Sequence, residues 1–367
     1  MKKILFIRLS SLGDIVLTES CIRLASLCFP NHEIHYLTKP EYGQMIEECF
    51  QKTREVTGYE ENKNLVHKVY LYQDKINLLK KLRKEKYDFV VDLHNKLNTL
   101  LIKICCKGKK TITYQKQHFT RWRMVKQISK RQIDSVVWNY LKTSEKIKLL
   151  AHSNDKNNCL PIQLEHAKQF HYPILTPNTD TINVVKEKFL SYGIPFDRYL
   201  IGVFPGASHL TKQYPAEKFI NFINNVPDSW KCCFLIMGDW KEKHIFLKMK
   251  SLSDVKLFDM VGVFNIVELV AAISLLDVVI SNDSGPMHVA ASLKKHQVVL
   301  YGATHTRLGF RPLNDKAVII QKNIACQPCS LHGGKKCKKN TMDCFKKIPS
   351  SEVYEVFKKT LENMILE

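Results

Sequence analysis

Short apolar runs alternate with segments of helical periodicity along the chain, and this alternation restricts the fold most. Strands that are apolar throughout, each followed by a helix, are typical of parallel sheets with helices on both faces. The pattern predicts helices at residues 75–86, 216–225, 266–275, 287–293 and 351–366. It predicts strands at residues 3–9, 33–38, 68–72, 88–93, 111–114, 199–204, 232–237, 278–281, 297–301 and 317–320.

The length of 367 residues is about twice that of a typical domain, so two domains are predicted. Residues 171–180 contain two prolines and no helical period, which indicates a linker. We expect doubly wound domains over residues 1–175 and 176–350, facing each other across a cleft. No apolar run approaches the roughly 20 residues that span a bilayer, and no signal peptide is evident. A soluble cytoplasmic protein is expected.

The formal net charge of +21 is concentrated in one segment. No acidic residue lies between Asp92 and Asp134, whereas the segment is rich in Lys and Arg and also contains Phe119 and Trp122. A positive field of this kind attracts polyanions such as nucleic acid, anionic lipid or a phosphorylated substrate. A solvated basic face is the alternative, which the interleaved aromatic residues disfavour.

Four cysteines cluster late in the chain, in CQPCSLHGGKKCKKNTMDC. A C-x2-C pair followed by two more cysteines can form a tetrahedral zinc site, although the second pair lacks this spacing. A structural zinc is therefore an alternative to a metal-free segment. Its candidate ligands are Cys326, Cys329, Cys337 and Cys344.

The phrase VVISNDSGPMHVAASL predicts a phosphate site. A buried strand leads into Asp283, Ser284 and Gly285, and a helix begins near Pro286, a residue suited to the first helical turn. Free backbone N–H groups and the helix dipole at such a point favour an anion, and His288 lies one turn further on. The alternative is a simple N-cap by Asp283 or Ser284.

The phrase GVFPGASHLTKQYPAEKF predicts a second phosphate-binding loop. Ser208 and Lys212 follow a strand end, where a hydroxyl and a cation suit a pyrophosphate, although a surface lysine is the alternative. The sequence contains no G-x-x-x-x-G-K-[ST] or G-x-G-x-x-G phrase, which argues against ATPase and NAD chemistry. It also contains no D-x-D, so the charge of a leaving diphosphate would fall on Lys212, Ser284 and Gly285.

The first strand ends in the polar turn Ser10-Ser11-Leu12-Gly13-Asp14. In open α/β sheets, ligands bind at the carboxyl ends of the strands. A carboxylate here is expected to be ionised at neutral pH and to orient or deprotonate a hydroxyl group. The alternative role of Asp14 is a helix cap, and the two roles are compatible.

In order and spacing, RLSSLGDIVLT, PGASHLTKQYPAEKF, SNDSGPMHVAASL and the late CQPC resemble glycosyltransferase family 9, the ADP-heptose:lipopolysaccharide heptosyltransferases. The resemblance implies the GT-B fold, with two Rossmann-like domains and the helix at 351–366 packing back on the N-terminal one. It implies inverting, metal-independent heptose transfer to a lipid A–Kdo acceptor, without a cofactor. The protein would act in the cytoplasm, peripherally at the inner face of the inner membrane.

The resemblance also implies roles for individual residues. Asp14 is the expected catalytic base. The expected donor-binding residues are Ser208, Lys212, Phe264, Asp283, Ser284, Gly285 and His288. We assign acceptor binding to Ser10, Ser11, Gly13, Arg121 and Arg123. Tyr214 stands where the family usually has tryptophan, and Leu17 also departs from the pattern, so the acceptor and sugar stay open.

Three alternatives remain at this point. The chain could be a family member that uses another sugar nucleotide or core acceptor. It could be a sugar-nucleotide-binding protein without activity, for which Asp14 is not needed. A nucleic-acid-binding protein would explain the charge, but it would not explain two phosphate loops at strand ends, and no RNA-binding signature is present.

Overall fold

The computed structural model of the chain describes residues 2–51, 64–106, 108–152 and 169–367. The chain divides into two compact units, Met1–Lys116 with Asp134–Thr176, and Gln117–Ile133 with Pro177–Glu367. The division after Thr176 lies next to the predicted domain boundary. The segment Gln117–Ile133 was expected in the first domain but belongs to the second unit.

The first unit is built on a parallel sheet whose strands follow the order β3-β2-β1-β4-β5. Its strands are β1 (Lys2–Ile7), β2 (His32–Thr38), β3 (Lys68–Leu71), β4 (Phe89–Asp92) and β5 (Lys110–Thr113). Its described helices are α1 (Leu12–Val16), α2 (Glu19–Cys28), α3 (Pro40–Cys49), α4 (Lys75–Lys84), α5 (Leu97–Cys106) and α7 (Val136–His152).

The second unit contains a six-stranded parallel sheet with the order β11-β10-β9-β6-β7-β8, which is the Rossmann order. Its strands are β6 (Tyr199–Phe204), β7 (Cys232–Gly238), β8 (Leu257–Val261), β9 (Val278–Asn282), β10 (His296–Tyr301) and β11 (Ala317–Gln321). Its described helices are α6 (His118–Val125), α8 (Thr179–Ser191), α9 (Ala216–Ile223), α10 (Lys243–Ser251), α11 (Ile266–Leu275), α12 (Gly285–Ser292), α13 (Asp343–Lys346) and α14 (Ser350–Leu366).

All ten predicted strands are present, and one strand was missed. The missed strand, β8, lies at the edge of the second sheet, where only part of it is buried. Asp259 in its centre interrupts the apolar run that identified the other strands. The predicted linker 171–180 also ends earlier than expected, because Asn178 caps α8 at Thr179.

The core of the second unit extends to the end of the chain and corrects one expectation. Val353, Phe357 and Leu361 of α14 are buried in the same hydrophobic cluster as Phe222 and Phe234. This face of α14 is apolar apart from Thr360, whose hydroxyl donates to the carbonyl of Val356, and it covers α9 and the second sheet. The helix is therefore part of the second unit, whereas the family resemblance implies that it packs back on the first domain.

In each sheet, the order in which successive strands are added reverses at one position, the topological switch point. In the first, β1 lies between β2 and β4, and in the second, β6 lies between β7 and β9. Loops that leave such a switch point diverge to opposite faces of the sheet and leave a crevice for ligands. The turn at Asp14 follows β1, and the two predicted phosphate loops follow β6 and β9. None of the helices in the described ranges combines the length and apolar character needed to cross a bilayer.

Candidate active site

Asp14 lies in the first turn of α1 and is held by groups on both sides. Its Oδ2 lies 2.6 Å from Nη2 of Arg8 on the strand end. It accepts hydrogen bonds from the backbone N–H of Ser11, at 3.3 Å, and from the hydroxyl of Ser11, at 2.9 Å. Arg8 itself also donates to the carbonyls of Ser10 and Leu93, both at 2.7 Å. Asp14 thus does act as a cap, and its carboxylate is fixed at the switch point.

The surroundings of Asp14 keep its carboxyl group ionised. Burial acts most strongly and opposes ionisation, but the charge of Arg8 and the hydrogen bonds from Ser11 and Arg8 together outweigh it. The pKa of Asp14 is therefore below its ordinary value. All of these contacts involve Oδ2, and the side chain stays 20% exposed, so Oδ1 can accept a hydrogen bond from a ligand.

Further cations surround this turn. Lys116 donates to the carbonyl of Asn95 at 3.0 Å, and burial together with the charges of Arg8 and Lys96 lowers its pKa to about 8. Burial and the same positive charges lower the pKa of His94 to about 4. His94 is therefore neutral at pH 7, and the positive charge of the crevice comes from lysine and arginine. Sequence reasoning missed the pairing of Arg8 with Asp14.

Lys212 and Asp283 meet at the switch point of the second sheet. Lys212 ends a single 3-10 turn after β6, and its Nζ lies 3.0 Å from Oδ2 of Asp283, which follows β9. The same carboxylate oxygen accepts a 2.6 Å hydrogen bond from the hydroxyl of Thr304. Lys212 is only 12% exposed, so it is not the surface lysine of the alternative interpretation.

Asn282 ties the two phosphate-type loops together. Its amide nitrogen donates to the carbonyl of Pro205 at 2.7 Å, and its Oδ1 accepts from the backbone N–H of Tyr214 at 3.0 Å. Because Asn282 is fully buried, these bonds form in a low dielectric and hold the loop after β6 against the end of β9. Asn282 therefore couples the two predicted loops, a contact that sequence reasoning did not predict.

The start of α12 leaves a hydroxyl group available. Ser284 occupies the N-cap position but makes no side-chain cap hydrogen bond, and its buried Oγ has no hydrogen-bond partner in the described part of the chain. Asp283 is engaged with Lys212 instead. The simple N-cap interpretation is therefore wrong for both residues. Gly285 begins the helix, and His288 is buried in its first turns. The N-terminal end of α12 therefore presents backbone N–H groups beside the hydroxyl of Ser284.

The other two predicted donor residues lie further along the carboxyl edge of this sheet. Ser208 is exposed in the loop after β6. Phe264 follows β8 and packs against Phe189 of α8, with ring centroids 6.0 Å apart. The structure therefore places Phe264 at the outer strand of the sheet, whereas Lys212, Asp283 and Ser284 lie at its centre.

Two residues after β7 were missed by sequence reasoning. Trp240 is 69% exposed, which is unusual for so large an apolar side chain. The carboxyl group of Glu242 lies about 1.9 Å from the position that a Cβ on Gly206 would take, so a larger residue there would have to displace this carboxyl group. Burial raises the pKa of Glu242. Their signal in the sequence was a Gly-Asp-Trp phrase after a strand, at the same sheet edge as the phosphate loops.

The predicted acceptor residues are divided between the two units. Ser10, Ser11 and Gly13 surround Asp14 in the first unit, whereas α6 carries Arg121 and Arg123 in the second. The cause is a local apolar cluster in which Met124 and Ile133 pack with Leu308, Phe310 and Leu331. Arg121 is buried and Arg123 is exposed, so the two arginines, which sequence reasoning treated alike, have different environments.

The four late cysteines have dissimilar environments. Backbone N–H groups of residues 339–342, with that of Met342 contributing most, lower the pKa of Cys337. Burial raises the pKa of Cys344 to about 11. Within the described ranges, no three or more His, Cys, Asp or Glu side chains lie close enough to hold a metal ion. The structure therefore does not assemble Cys326, Cys329, Cys337 and Cys344 into a tetrahedral site.

Comparison with known proteins supports the same relationship as the motifs. The model of glycosyltransferase family 9 (heptosyltransferase) matches residues 76–339. A lipooligosaccharide heptosyltransferase 2 of Campylobacter jejuni serotype O:2 is 29% identical over 170 residues, 45% of this chain and 51% of that protein. The chain thus spans about half the length of this relative. The lipooligosaccharide heptosyltransferase 2 of Haemophilus influenzae is 24% identical over 330 residues, 87% of this chain and 88% of the relative.

The fold also agrees with a solved structure. Escherichia coli ADP-heptose lipopolysaccharide heptosyltransferase II superposes with a TM-score of 0.71 and 18% identity, over 99% of both chains. At this identity the likeness concerns the fold. The predicted GT-B fold with two Rossmann-like domains is confirmed.

Proposed function

Because the chain belongs to glycosyltransferase family 9, the heptosyltransferases, we propose that it transfers a heptose from ADP-heptose to the inner core of lipopolysaccharide. The proposal is supported by the arrangement of hydrogen-bond donors at the carboxyl edge of the second sheet. Lys212 and the start of α12 meet there, and the hydroxyl of Ser284 has no partner among the described residues. A diphosphate supplies the acceptor oxygens that such a group of donors requires.

The proposed reaction is a displacement at the anomeric carbon with inversion. A bond forms between an acceptor hydroxyl oxygen and this carbon while the bond to the diphosphate oxygen breaks, and ADP leaves. The proton of the hydroxyl passes to Asp14. With a lowered pKa, Asp14 is a weak base that is always ionised at neutral pH. Its main contribution is therefore to orient the hydroxyl and to accept the proton late, as the new bond forms.

The charge that develops on the leaving ADP falls on fixed groups. Lys212 supplies a full positive charge, Ser284 a hydroxyl donor, and the start of α12 its free N–H groups. Because Asp283 and Thr304 position Lys212 before the ligand arrives, little reorganisation accompanies the reaction. These groups do the work that other transferases assign to a divalent cation, so we propose that the reaction is metal-independent.

The nucleoside of the donor would extend along the same sheet edge. Glu242, after β7, can accept hydrogen bonds from ribose hydroxyls. Trp240 offers an exposed aromatic face on which adenine can stack, and Phe264 at the neighbouring strand end is the sequence-based candidate for that role. Measuring the ADP affinity of Trp240→Ala and of Phe264→Ala decides which of the two rings stacks on adenine. The residue whose loss weakens binding about tenfold is the stacking partner.

The acceptor would be attracted to the first unit by charge. Arg8, Lys96 and Lys116 place positive charge around Asp14, which suits an acceptor that carries carboxylates and phosphates. Ser10, Ser11 and Gly13 form the turn itself, and the arginines of α6 are further candidate contacts.

The central experiment incubates the protein with ADP-heptose and a panel of truncated lipopolysaccharide acceptors. We expect an acceptor mass increase of one heptose, with release of ADP. Other nucleotide sugars in the same assay test the alternative donors. Binding of ADP without any transfer would contradict the enzymatic proposal and favour the non-catalytic alternative. Salt-dependent binding to random DNA without ADP affinity would favour the nucleic-acid alternative.

Metal independence has its own test. We expect full transferase activity in EDTA after exhaustive dialysis. Metal analysis of the purified protein, with Cys337→Ser as a comparison, tests the zinc alternative for the late cysteines. Activity that disappears in EDTA and returns with a divalent cation would contradict this part of the proposal.

We also propose that the protein acts in the cytoplasm and binds peripherally to the inner face of the inner membrane, through α5. Leu97, Leu100, Leu101 and Ile104 form a stripe at helical spacing, and each is between 47% and 83% exposed. Along the chain, the exposed Lys96 precedes the stripe, and Lys109, which is exposed and paired with Asp88, follows the end of α5. An exposed apolar stripe flanked by cations fits the interface of an anionic bilayer.

Vesicle sedimentation tests the membrane proposal. We expect binding to vesicles that contain phosphatidylglycerol and little binding to pure phosphatidylcholine. Leu101→Ser should reduce binding severalfold, whereas Ile76→Ser, an equally exposed apolar residue on α4, should not. Equal effects of the two substitutions would show that the stripe is not the docking face.

A further inference from the structure

The second unit contains a cavity of about 340 Å³ that none of the predicted donor residues lines. One wall is α6, and the opposite wall is the cysteine-rich loop after β11. The apolar part of the lining comes from Trp122, Val125 and Leu331. Its polar and cationic lining residues are His118, Arg121, Thr211, Ser330, Lys336 and Lys338.

Two of the three guanidinium nitrogens of Arg121, which lines this cavity, have no hydrogen-bond partner in the described part of the chain. Arg121 is only 5% exposed, and its Nε and Nη2 are buried with no acceptor among the residues that the structure describes. The ring of Phe310 covers one face of the guanidinium, with 5.0 Å between Cζ and the ring centroid. A guanidinium cannot lose its charge by deprotonation, so its burial is unfavourable until an acceptor arrives.

The walls that present Arg121 are held in place. Gln127, one turn beyond α6, donates to the carbonyl of Pro328 at 2.9 Å. On the opposite wall, Thr211 accepts from the backbone N–H of Gly334 at 2.8 Å, and the backbone N–H of Cys329 donates to Ala303 at 3.0 Å. The cavity is therefore built by long-range contacts rather than left open by chance.

The cavity differs from the proposed donor site. Lys212 follows Thr211 directly, but its amine points to Asp283, and Lys212 is not part of the lining. The cations of the cavity are separate ones, on α6 and on the loop at residues 329–338. A ligand group bound here would be a neighbour of the donor diphosphate and not the diphosphate itself.

We propose that this cavity binds an oxyanion, a phosphate or carboxylate group, carried by the acceptor. The guanidinium of Arg121 can donate hydrogen bonds to the oxygens of such a group, while Lys336 and Lys338 supply further positive charge. The oxyanion site stands on the cavity alone, whereas its identification with the acceptor rests on the proposed function.

Inorganic phosphate is the direct probe. The full-length protein is titrated calorimetrically with phosphate at low ionic strength, with ADP saturating throughout so that the donor site is occupied. We expect one phosphate per chain. Arg121→Met should weaken phosphate binding by about tenfold or more, while Lys126→Met, which removes an exposed cation directly after the same helix, should change it less than about twofold.

Two double variants of exposed lysines in the cysteine-rich loop provide a second comparison. These substitutions leave the core unchanged, so the result does not depend on whether the Arg121 variant folds. Lys336→Met with Lys338→Met removes two lysines that line the cavity, and Lys335→Met with Lys339→Met removes two from the same loop that do not. Only the first pair should weaken phosphate binding. Equal losses in both pairs, no phosphate binding, or phosphate binding only in the absence of ADP would each overturn the oxyanion site.

Kinetics then test the source of the oxyanion. In the transferase assay, Arg121→Lys should raise KM for the acceptor severalfold and leave KM for the sugar nucleotide unchanged. Phosphate binding through Arg121 with an unchanged acceptor KM would overturn the acceptor assignment and indicate a site for free phosphate. If no heptose is transferred at all, the proposed function fails, whereas the phosphate titration still decides the oxyanion site.

Discussion

The two sheets end in polar turns at equivalent switch points, yet the two turns differ in how far their polar groups are satisfied. In the first unit, Arg8 and Ser11 engage Oδ2 of Asp14 from three directions. In the second unit, Lys212 is paired with Asp283, but the hydroxyl of Ser284 at the start of α12 has no hydrogen-bond partner among the described residues. The first arrangement fixes one reactive group. The second arrangement leaves hydrogen-bond donors available to a ligand that has acceptor oxygens.

Asp14→Asn is expected to have the largest effect on activity, because it removes the proton acceptor and leaves the turn otherwise similar in shape. We expect kcat to fall by about 10² to 10⁴. ADP affinity should not change, because Asp14 belongs to the other unit. A kcat within a few-fold of the native value would show that the first turn is purely structural.

Lys212→Met tests the second turn. Without the cation, the leaving diphosphate loses its fixed charge partner, and the transfer rate should fall by about 10² to 10³. Lys248→Met is the control, because Lys248 is exposed and pairs only with Glu217 on the surface. Because Asp283 also loses its partner, the double variant with Asp283→Asn separates the loss of charge from repulsion by an unpaired carboxylate.

Much of the fold could be predicted because it depends on local periodicity. All ten predicted strands are present, and the helix at Ile266–Leu275 has the predicted bounds. None of the predicted helices covers α1 or α2, which are separated by a break near Thr18. Periodicity could not identify the strand that contains Asp259, because an edge strand need not be apolar on both faces.

The sites were predicted in part, for a different physical reason. Loops at the carboxyl ends of strands can be found from sequence, so the positions of Asp14, Lys212 and Ser284 at these sheet edges could be predicted, while their roles stay predictions. Their partners could not be found in this way. Arg8 precedes the turn in an apolar strand, and Met124 of α6 packs in one cluster with Leu308 and Leu331, which are 184 and 207 residues further along the chain. Neither leaves a periodic signal.

Arg8→Met sharpens the comparison by removing the ion pair from the first turn. Without Arg8, burial would no longer be outweighed, and the pKa of Asp14 should move from below to above its ordinary value of 3.8. The ionised form of Asp14 is the active one, so activity is lost when the pH falls through this pKa and the carboxylate becomes protonated. The acid limb of kcat should therefore move upward by about 1 to 3 pH units.

The native enzyme provides the reference for this experiment, since its activity should show no loss attributable to Asp14 above pH 5. By the same linkage, the stability that Asp14 contributes is present above its ordinary pKa and is lost only below it. An identical acid limb in native and Arg8→Met proteins would mean that the ion pair does not set the ionisation of Asp14.

We expect KM for the acceptor to depend on pH in the alkaline range because of Lys116 in the first unit. With a pKa of about 8, its charge is present below that pH and disappears as pH rises through it. If this charge attracts the acceptor, KM for the acceptor should rise up to about tenfold between pH 7 and pH 9. Lys116→Arg keeps the charge and should remove the rise. A rise that persists in this variant would exclude Lys116 as its cause.

Gly333→Ala should have the smallest effect, and it probes how the second turn is supported. Gly333 has a φ of +91°, and a Cβ there would lie 2.8 Å from Cβ of His209 and 2.9 Å from Cγ of Lys212. Gly193, with a φ of +69° and no atom within 4 Å of such a Cβ, is the matched control. Both alanines should lower the free energy of unfolding by about 1 kcal/mol through backbone strain.

The two alanine variants should differ in function. Only the methyl group at residue 333 must displace the Lys212 side chain, so only Gly333→Ala should also raise KM for the sugar nucleotide, by a few-fold. Thermal unfolding measures the shared strain, and donor kinetics measure the difference. If donor KM changes equally in both variants, the contact between the cysteine-rich loop and Lys212 has no part in donor binding. The donors of the second turn would then be positioned by Asp283 and Asn282 alone.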